Sequence, residues 1–192
     1  MTEPRVFLIH GFEGAPNGGW RPWLMAKLGR NDIYACALPM PDPNDPQKNA
    51  WVDEIRRTVG VPDENVFFVG HSLGVPAILR YLETLHPEQK IGGAVLVSGP
   101  ILHALEPNDE RMKTFFETPF DFSLYKKVCK NFSVIQGDND PWFSFDQAET
   151  LARELSCALI PIPNGGHLNG SSGHYELPEA FVVLMNFLKL SA

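Results

Sequence analysis

Cysteine is scarce in this sequence of 192 residues, and its three cysteines stand far apart. Cys36, Cys129 and Cys157 include no closely spaced pair of the kind that binds zinc, and their odd number does not suit a disulfide framework. The scarcity excludes a small fold stapled by disulfides. We therefore expect a reducing, cytoplasmic location and no structural zinc.

Positive charge and long apolar runs are also lacking. The chain has 16 Lys and Arg against 23 Asp and Glu, a formal net charge of -7, and no basic cluster that could form a nucleic-acid surface. No apolar run approaches the roughly 20 residues that span a bilayer. The beginning, "MTEPRVFLIHG", has an acid and a proline before a short apolar block, so we expect neither a signal peptide nor a membrane partner.

What the chain does contain is an ordinary globular composition with a regular order of patterns. Hydrophobic residues make up 44% and charged residues 20%, which predicts one soluble domain over residues 1–192. Short apolar blocks predict strands at Arg5–Ile9, Ile33–Ala37, Asn65–Val69, Gly93–Val97, Phe132–Gln136 and Ala158–Ile162. Periodic patterns predict helices at Trp20–Leu28, Lys48–Val59, Leu73–Leu85, Asp109–Phe116, Phe145–Leu155 and Leu177–Leu188.

This alternation predicts an α/β fold, with a mostly parallel sheet of about six strands and helices on both faces. Ligands of such sheets bind beyond the carboxyl ends of the strands. The junctions there read "HGFEG", "GHSLG", "GDNDPW" and "NGGHLNG". The connection 99–130 is the longest, and the sequence assigns it no role.

The motif "GHSLG" fits the nucleophile-elbow pattern, in which a serine occupies a sharp strand-to-helix turn. An apolar block precedes Ser72 and an amphipathic helical pattern follows it, which is the context that the motif requires. Gly70 and Gly74 suit the turn because it leaves almost no room for side chains beside the serine. Ser72 is therefore the candidate nucleophile.

A serine nucleophile needs a general base that is oriented by an acid. Of six histidines, His167 is favoured as the base because it follows the last strand in a glycine-rich loop. His174, in the same loop, is the alternative. The others are assigned packing, turn or surface roles: His10, His71, His86 and His103.

Two carboxylates compete for the acid. Asp138 and Asp140 both follow the fifth predicted strand, in "GDNDPW". Asp140 is favoured because a proline and two bulky residues follow it, whereas Asp138 suits a turn-capping role. The expected chain order of serine, acid and histidine is kept with either residue.

Backbone donors and aromatic residues complete the predicted site. The N–H groups of Leu73 and Phe12 are the expected oxyanion hole, with Glu13 as an alternative to Phe12. Aromatic residues concentrate near these junctions, which predicts a modest apolar cleft. Trp142 is expected at its rim with Phe143 beside it.

These features together resemble the α/β-hydrolase superfamily, and within it the small serine hydrolases of the retinoblastoma-binding protein 9 type. The resemblance runs almost end to end. It rests on the motifs "VFLIHG", "LPMPDPNDP" followed by Trp51, "GHSLG", "GAVLVSGP", "DPWFSF" and "GGH", together with Trp20, Trp23 and Leu24.

The resemblance implies a triad of Ser72, Asp140 and His167, although Ser144 stands where relatives often have proline. It also implies a fold without a large lid, because the connection after the fourth strand is short for this superfamily. The family's protein partner does not carry over, since "LSCAL" lacks the glutamate of the L-x-C-x-E motif. A protein partner therefore stays unknown.

The sequence thus predicts a serine hydrolase that needs no cofactor and cleaves an ester, thioester or amide of a small-molecule acyl substrate through an acyl-enzyme. The alternative is a catalytically weak member of the same fold that acts as a binding module. A metallohydrolase using His167, His174 and Glu176 is disfavoured because these residues lack helical ligand spacing.

Overall fold

The fold is built on a single parallel sheet. A computed structural model describes residues 3–101 and 110–191. Six strands pair in the order β2-β1-β3-β4-β5-β6, all parallel. Their bounds are β1 Arg5–Ile9, β2 Tyr34–Ala37, β3 Val66–His71, β4 Gly93–Val97, β5 Phe132–Gly137 and β6 Ala158–Ile162.

Helices cover both faces of this sheet. One face packs against α1 (Arg21–Gly29) and α6 (Pro178–Ser191). The other packs against α2 (Lys48–Val59), α3 (Gly74–Leu82), α4 (Phe122–Val128) and α5 (Phe145–Leu155). The predicted three-layer architecture is confirmed. Within the described ranges, no helix has the length and apolar character needed to cross a membrane.

The central strands are apolar on both faces, which explains their unbroken hydrophobic runs. In β1, Val6 and Leu8 point toward α1 and α6, whereas Phe7 and Ile9 point toward the other helix layer. All four side chains are buried. Burial of this kind is the main source of stabilisation for the sheet.

The strand order creates a crevice at the carboxyl edge of the sheet. β1 lies between β2 and β3. The connection after β1 leads to β2 on one side, whereas the connection after β3 leads to β4 on the other side. Ligands of open α/β sheets bind at this kind of switch point. Because Ile9 lies opposite Gly70, the loops "HGFEG" and "GHSLG" emerge side by side.

Most predicted boundaries agree with the structure; β1, β4, β6, α2 and α5 coincide with their predicted ranges. β3 continues to His71 instead of ending at Val69, because the residues beyond Val69 still pair with β4. α3 ends at Leu82 instead of Leu85, where the last turn tightens to 3₁₀-type hydrogen bonds.

The connection between β4 and β5 differs most from prediction. The predicted helix Asp109–Phe116 is a 3₁₀ helix over Glu110–Phe115, and Asp109 and His103 lie outside the described residues. The helix α4 was not predicted. The sequence feature that indicates this helix is Asp121, its N-cap residue, whose carboxylate accepts a hydrogen bond from the Leu124 N–H at 3.0 Å.

Arg80 of α3 fastens this connection to the body of the fold. Its buried guanidinium donates to the Phe115 carbonyl at 2.9 Å, to the Thr118 carbonyl and to the Glu83 carboxylate at 2.7 Å. It also lies 4.1 Å from the centre of the Phe120 ring. One side chain therefore binds acceptors along the connection, of which the Phe115 carbonyl is buried.

We predict that Arg80→Met lowers the free energy of unfolding by about 2–4 kcal/mol, because it leaves the carbonyls of Phe115 and Thr118 without their donor. Urea denaturation followed by circular dichroism measures this change. Arg57→Met is the matched control, since Arg57 is exposed on α2 and pairs only at the surface with Glu54. Equal effects of the two substitutions would contradict the anchoring role of Arg80.

Candidate active site

Ser72 occupies the turn between β3 and α3 in a left-handed backbone conformation, with φ of 54°. The neighbouring glycines are required by close approach. A Cβ on Gly74 would lie 2.3 Å from the Ile9 carbonyl oxygen, and one on Gly70 would lie 2.9 Å from the Gly74 backbone. A positive φ is unfavourable for a residue with a Cβ, and such backbone strain is typical of turns at functional sites.

Asp140 and His167 meet in a buried ion-pair geometry beside this turn. The Asp140 Oδ2 lies 2.8 Å from His167 Nδ1, and the carboxylate is fully buried. Gln136 Nε2 donates to the same oxygen at 2.9 Å. The backbone N–H groups of Trp142 and Phe143 donate to Oδ1 at 2.9 and 3.3 Å. These contacts fix the carboxylate, which in turn keeps the proton of a neutral His167 ring on Nδ1.

His167 and Ser72 line the same small cavity. Its volume is about 190 Å³, and its walls include Gly11, Phe12, Glu13, Arg21, Ser72 and His167. The loop after β1 closes tightly on the serine, since a Cβ on Gly11 would lie 2.7 Å from Ser72 Cβ. The structure therefore brings the three residues predicted as nucleophile, base and acid to one edge of the sheet.

Asp138 has a different set of contacts. Its Oδ1 accepts a hydrogen bond from the Asn164 N–H at 2.8 Å, and the next residue, Asn139, accepts one from the Gly166 N–H at 2.7 Å. Both side chains thus hold the loop that carries His167. Asp138 caps this loop, whereas Asp140 contacts the imidazole.

Two further buried histidines, His10 and His71, join neighbouring loops by hydrogen bonds to their backbone groups. His10 Nδ1 donates to the Gly11 carbonyl at 2.8 Å, and its Nε2 accepts from the Met40 N–H at 3.3 Å. His71 Nε2 donates to the His167 carbonyl at 2.9 Å. Burial lowers the pKa of His10 and lowers that of His71 well below its ordinary value, so both rings are neutral.

The remaining histidines lie elsewhere. His174 is half-buried in the loop before α6 and does not line the cavity, and His86 is exposed beyond the end of α3. Neither contacts Asp140 in the described part of the chain.

Two backbone donors beside Ser72 are free of internal partners. Within residues 3–101 and 110–191, neither the Phe12 N–H nor the Leu73 N–H donates a hydrogen bond. The Glu13 N–H, the alternative donor, is occupied by the Pro43 carbonyl at 2.8 Å. Free N–H groups next to a strained serine suit the binding of a developing oxyanion.

The two residues that were predicted at the rim of the pocket, Trp142 and Phe143, lie outside the cavity lining. Trp142 is 60% exposed, and neither it nor Phe143 lines the cavity. Phe143 instead packs against the His167 ring, with 5.5 Å between ring centres. The two N–H groups of this turn are drawn to Asp140, which orients their side chains away from the cavity. The cavity walls are mixed, since the aromatic residues Phe12 and Trp20 line the cavity together with Arg21, His71 and His167.

Sequence reasoning assigned no individual role to three groups that build the site. Gln136 orients the Asp140 carboxylate from the end of β5, Trp20 donates from Nε1 to the Leu168 carbonyl at 2.8 Å, and Arg21 lines the cavity. The polar residue near the end of the apolar run "FSVIQ" and the "GWRPW" stretch before α1 were the available signals.

The fold and the site together define a class: a hydrolase of the α/β-hydrolase fold with its serine at the nucleophile elbow. Est1E from Butyrivibrio proteoclasticus shares this fold, with a TM-score of 0.74 and 16% identity over 99% of this chain and 88% of that one. The sequence profile described as "Serine hydrolase" matches residues 6–186. The chain belongs to this family and is an enzyme.

Two relatives resemble the chain along nearly their whole length. YdeN of Bacillus subtilis (strain 168) is 34% identical over 189 residues, which cover 97% of each chain. The crystal structure of the ydeN gene product has a TM-score of 0.91 and 32% identity, over 97% of this chain and 99% of that one. The serine hydrolase RBBP9 of Rattus norvegicus is 26% identical over 91% of this chain and 92% of its own. The predicted family is confirmed.

The buried neutral histidines predict an acid-sensitive fold. Below the unfolded pKa of about 6.5, the unfolded chain takes up protons that native His10 and His71 do not, so stability falls as the pH falls. Between pH 7.5 and 5.5, each such histidine costs up to about 1.4 kcal/mol. We predict that His71→Gln loses about 1 kcal/mol less over this range than the wild type.

Urea denaturation at the two pH values measures this difference. His86→Gln, at an exposed site, is the control and is expected to keep the pH dependence of the wild type. An unchanged pH dependence in His71→Gln would mean that His71 takes up a proton in the native state.

Proposed function

We propose that the enzyme hydrolyses esters of short acyl groups through a triad of Ser72, His167 and Asp140. The observation that carries the proposal is the buried Asp140–His167 pair, whose imidazole lines the same cavity as the strained Ser72. Burying a carboxylate is unfavourable unless other groups compensate its charge, and Asp140 accepts four hydrogen bonds. One of the four comes from the His167 ring, which is the contact that a catalytic acid needs.

In the proposed reaction, Ser72 Oγ attacks the ester carbonyl while His167 Nε2 takes the hydroxyl proton. The carbonyl oxygen becomes negatively charged and accepts hydrogen bonds from the N–H groups of Phe12 and Leu73. The C–O bond of the ester then breaks, and His167 returns the proton to the departing alcohol. Asp140 stays ionised throughout and stabilises the imidazolium.

Water completes the cycle by the same steps. It attacks the acyl-Ser72 carbonyl and gives a proton to His167, which passes it to Ser72 Oγ as the acyl–serine bond breaks. The products are a free acid and the regenerated serine. No cofactor takes part in this sequence, and we propose a small-molecule acyl substrate and no nucleic-acid, membrane or protein partner.

The size of the cavity supports a short acyl group. Its volume of about 190 Å³ is below the roughly 300–1,000 Å³ of sites that hold drug-sized ligands. Thioesters and amides share the same acyl chemistry, and esters make the first test because an alcohol is displaced more readily than an amine. The absence of disulfides among the cysteines supports the proposed cytoplasmic location.

We predict that a fluorophosphonate probe adds once to the native enzyme, as seen by intact mass, and that Ser72→Ala gains no adduct. Only an activated serine reacts with this probe at a useful rate. Ser171→Ala, an exposed serine that does not line the cavity, is the matched control and should be labelled like the wild type. No adduct on folded native enzyme would contradict the proposed triad.

We predict that Asp140→Asn lowers kcat by about 10³- to 10⁴-fold, because an amide does not stabilise the imidazolium and favours the wrong tautomer of His167. Asp138→Asn, two residues away, is the matched control and is expected to lose less than about tenfold. Hydrolysis of ethyl butyrate measures both. A larger loss in Asp138→Asn than in Asp140→Asn would reverse the assignment of the acid.

A further inference from the structure

Arg21 places a buried positive charge in the wall of the cavity that contains Ser72. It is the first residue of α1 and is only 6% exposed. A guanidinium in such a place loses most of its hydration, which is unfavourable unless acceptors replace the water. Most arginines of this chain are exposed or half-buried and keep much of their hydration.

Arg21 contacts one backbone acceptor and the Trp20 ring, whose centre lies 5.8 Å from the guanidinium carbon, and neither has the negative charge of a carboxylate. Its Nε and Nη2 both donate to one oxygen, the Ala15 carbonyl, at 3.2 and 2.9 Å. Among the residues that the structure describes, no carboxylate lies within ion-pairing distance of it. A guanidinium has five N–H donors, so several remain for another partner. Burial lowers the pKa of Arg21 to about 10, which leaves it cationic near neutral pH.

The other charged groups of the cavity leave this cation unopposed. Glu13 also lines the cavity, but its side chain is 57% exposed and its carboxylate lies 3.6 Å from Arg111. His10 and His71 are neutral because of their burial. The cavity that contains Ser72 therefore has, among the described residues, a positive charge that no carboxylate pairs.

We propose that Arg21 determines specificity by receiving a carboxylate of the substrate, so that the preferred substrates are half-esters of short dicarboxylic acids. This rests on the proposed esterase function. The guanidinium fork matches the two oxygens of a carboxylate, and the partial desolvation of the site strengthens the pairing. A carboxylate is also small enough to share about 190 Å³ with the scissile ester.

The test compares two esters that differ at one end. Ethyl butyrate ends in a methyl group where monoethyl succinate has a carboxylate. We expect the wild type to prefer monoethyl succinate by at least about tenfold in kcat/KM, and Arg21→Gln to lower that ratio about 10- to 100-fold. Arg21→Lys keeps the charge without the fork and should retain part of the preference.

Because the ratio is taken within each variant, a general loss of folding or activity affects both esters equally. Arg57→Gln, exposed on α2, is the matched control and should keep the wild-type ratio. The same two esters also serve as competitors of fluorophosphonate labelling, a readout that does not require turnover. In that assay, monoethyl succinate is expected to protect Ser72 at a lower concentration than ethyl butyrate does, and Arg21→Gln should remove this difference.

A wild-type preference for ethyl butyrate, or a ratio that Arg21→Gln leaves unchanged, would overturn the assignment of Arg21 while leaving the esterase function intact. Absence of both labelling and hydrolysis would instead contradict the proposed function. Labelling that neither ester prevents at high concentration would also overturn the assignment.

Discussion

The site depends on a carboxylate that has been removed from water. Asp140 is fully buried, and it is held by the His167 ring, the Gln136 amide and two backbone N–H groups of its own turn. A buried charge is tolerated only when it is compensated in this way. The requirement fixes the turn after β5, directs Phe143 against the imidazole and leaves Trp142 in solvent. The orientation of the His167 ring is therefore a consequence of the hydrogen bonds that compensate one buried carboxylate.

The remaining loops are held by hydrogen bonds to backbone groups that the sheet cannot serve. His10 ties the loop after β1 to the proline-rich segment, while His71 and Trp20 tie the loop of His167 to the layer below it. Trp51 fixes the same proline-rich segment through the Pro41 carbonyl at 2.7 Å. Each of these side chains is buried and neutral, so the loops are joined without a further buried charge.

Stability and chemistry make opposite demands at this edge of the sheet. The core buries apolar side chains on both sheet faces, whereas the crevice retains a strained Ser72, two unpaired N–H groups and a buried Arg21. Each of these features is unfavourable in the empty enzyme. A substrate with a carbonyl oxygen and an anionic group would satisfy the donors, which is how binding energy becomes available for catalysis.

The alternation of apolar blocks and periodic helices determined the layered parallel fold, and the motif "GHSLG" with its later acid and histidine determined which residues reach one edge of the sheet. These features depend on residues close together in the chain, so they can be predicted from the sequence alone. Only the tertiary structure decided which of Asp138 and Asp140 contacts His167, that Trp142 is exposed and that Arg21 is buried. These outcomes depend on which distant backbone groups need a partner, and such needs arise only when the loops are brought together.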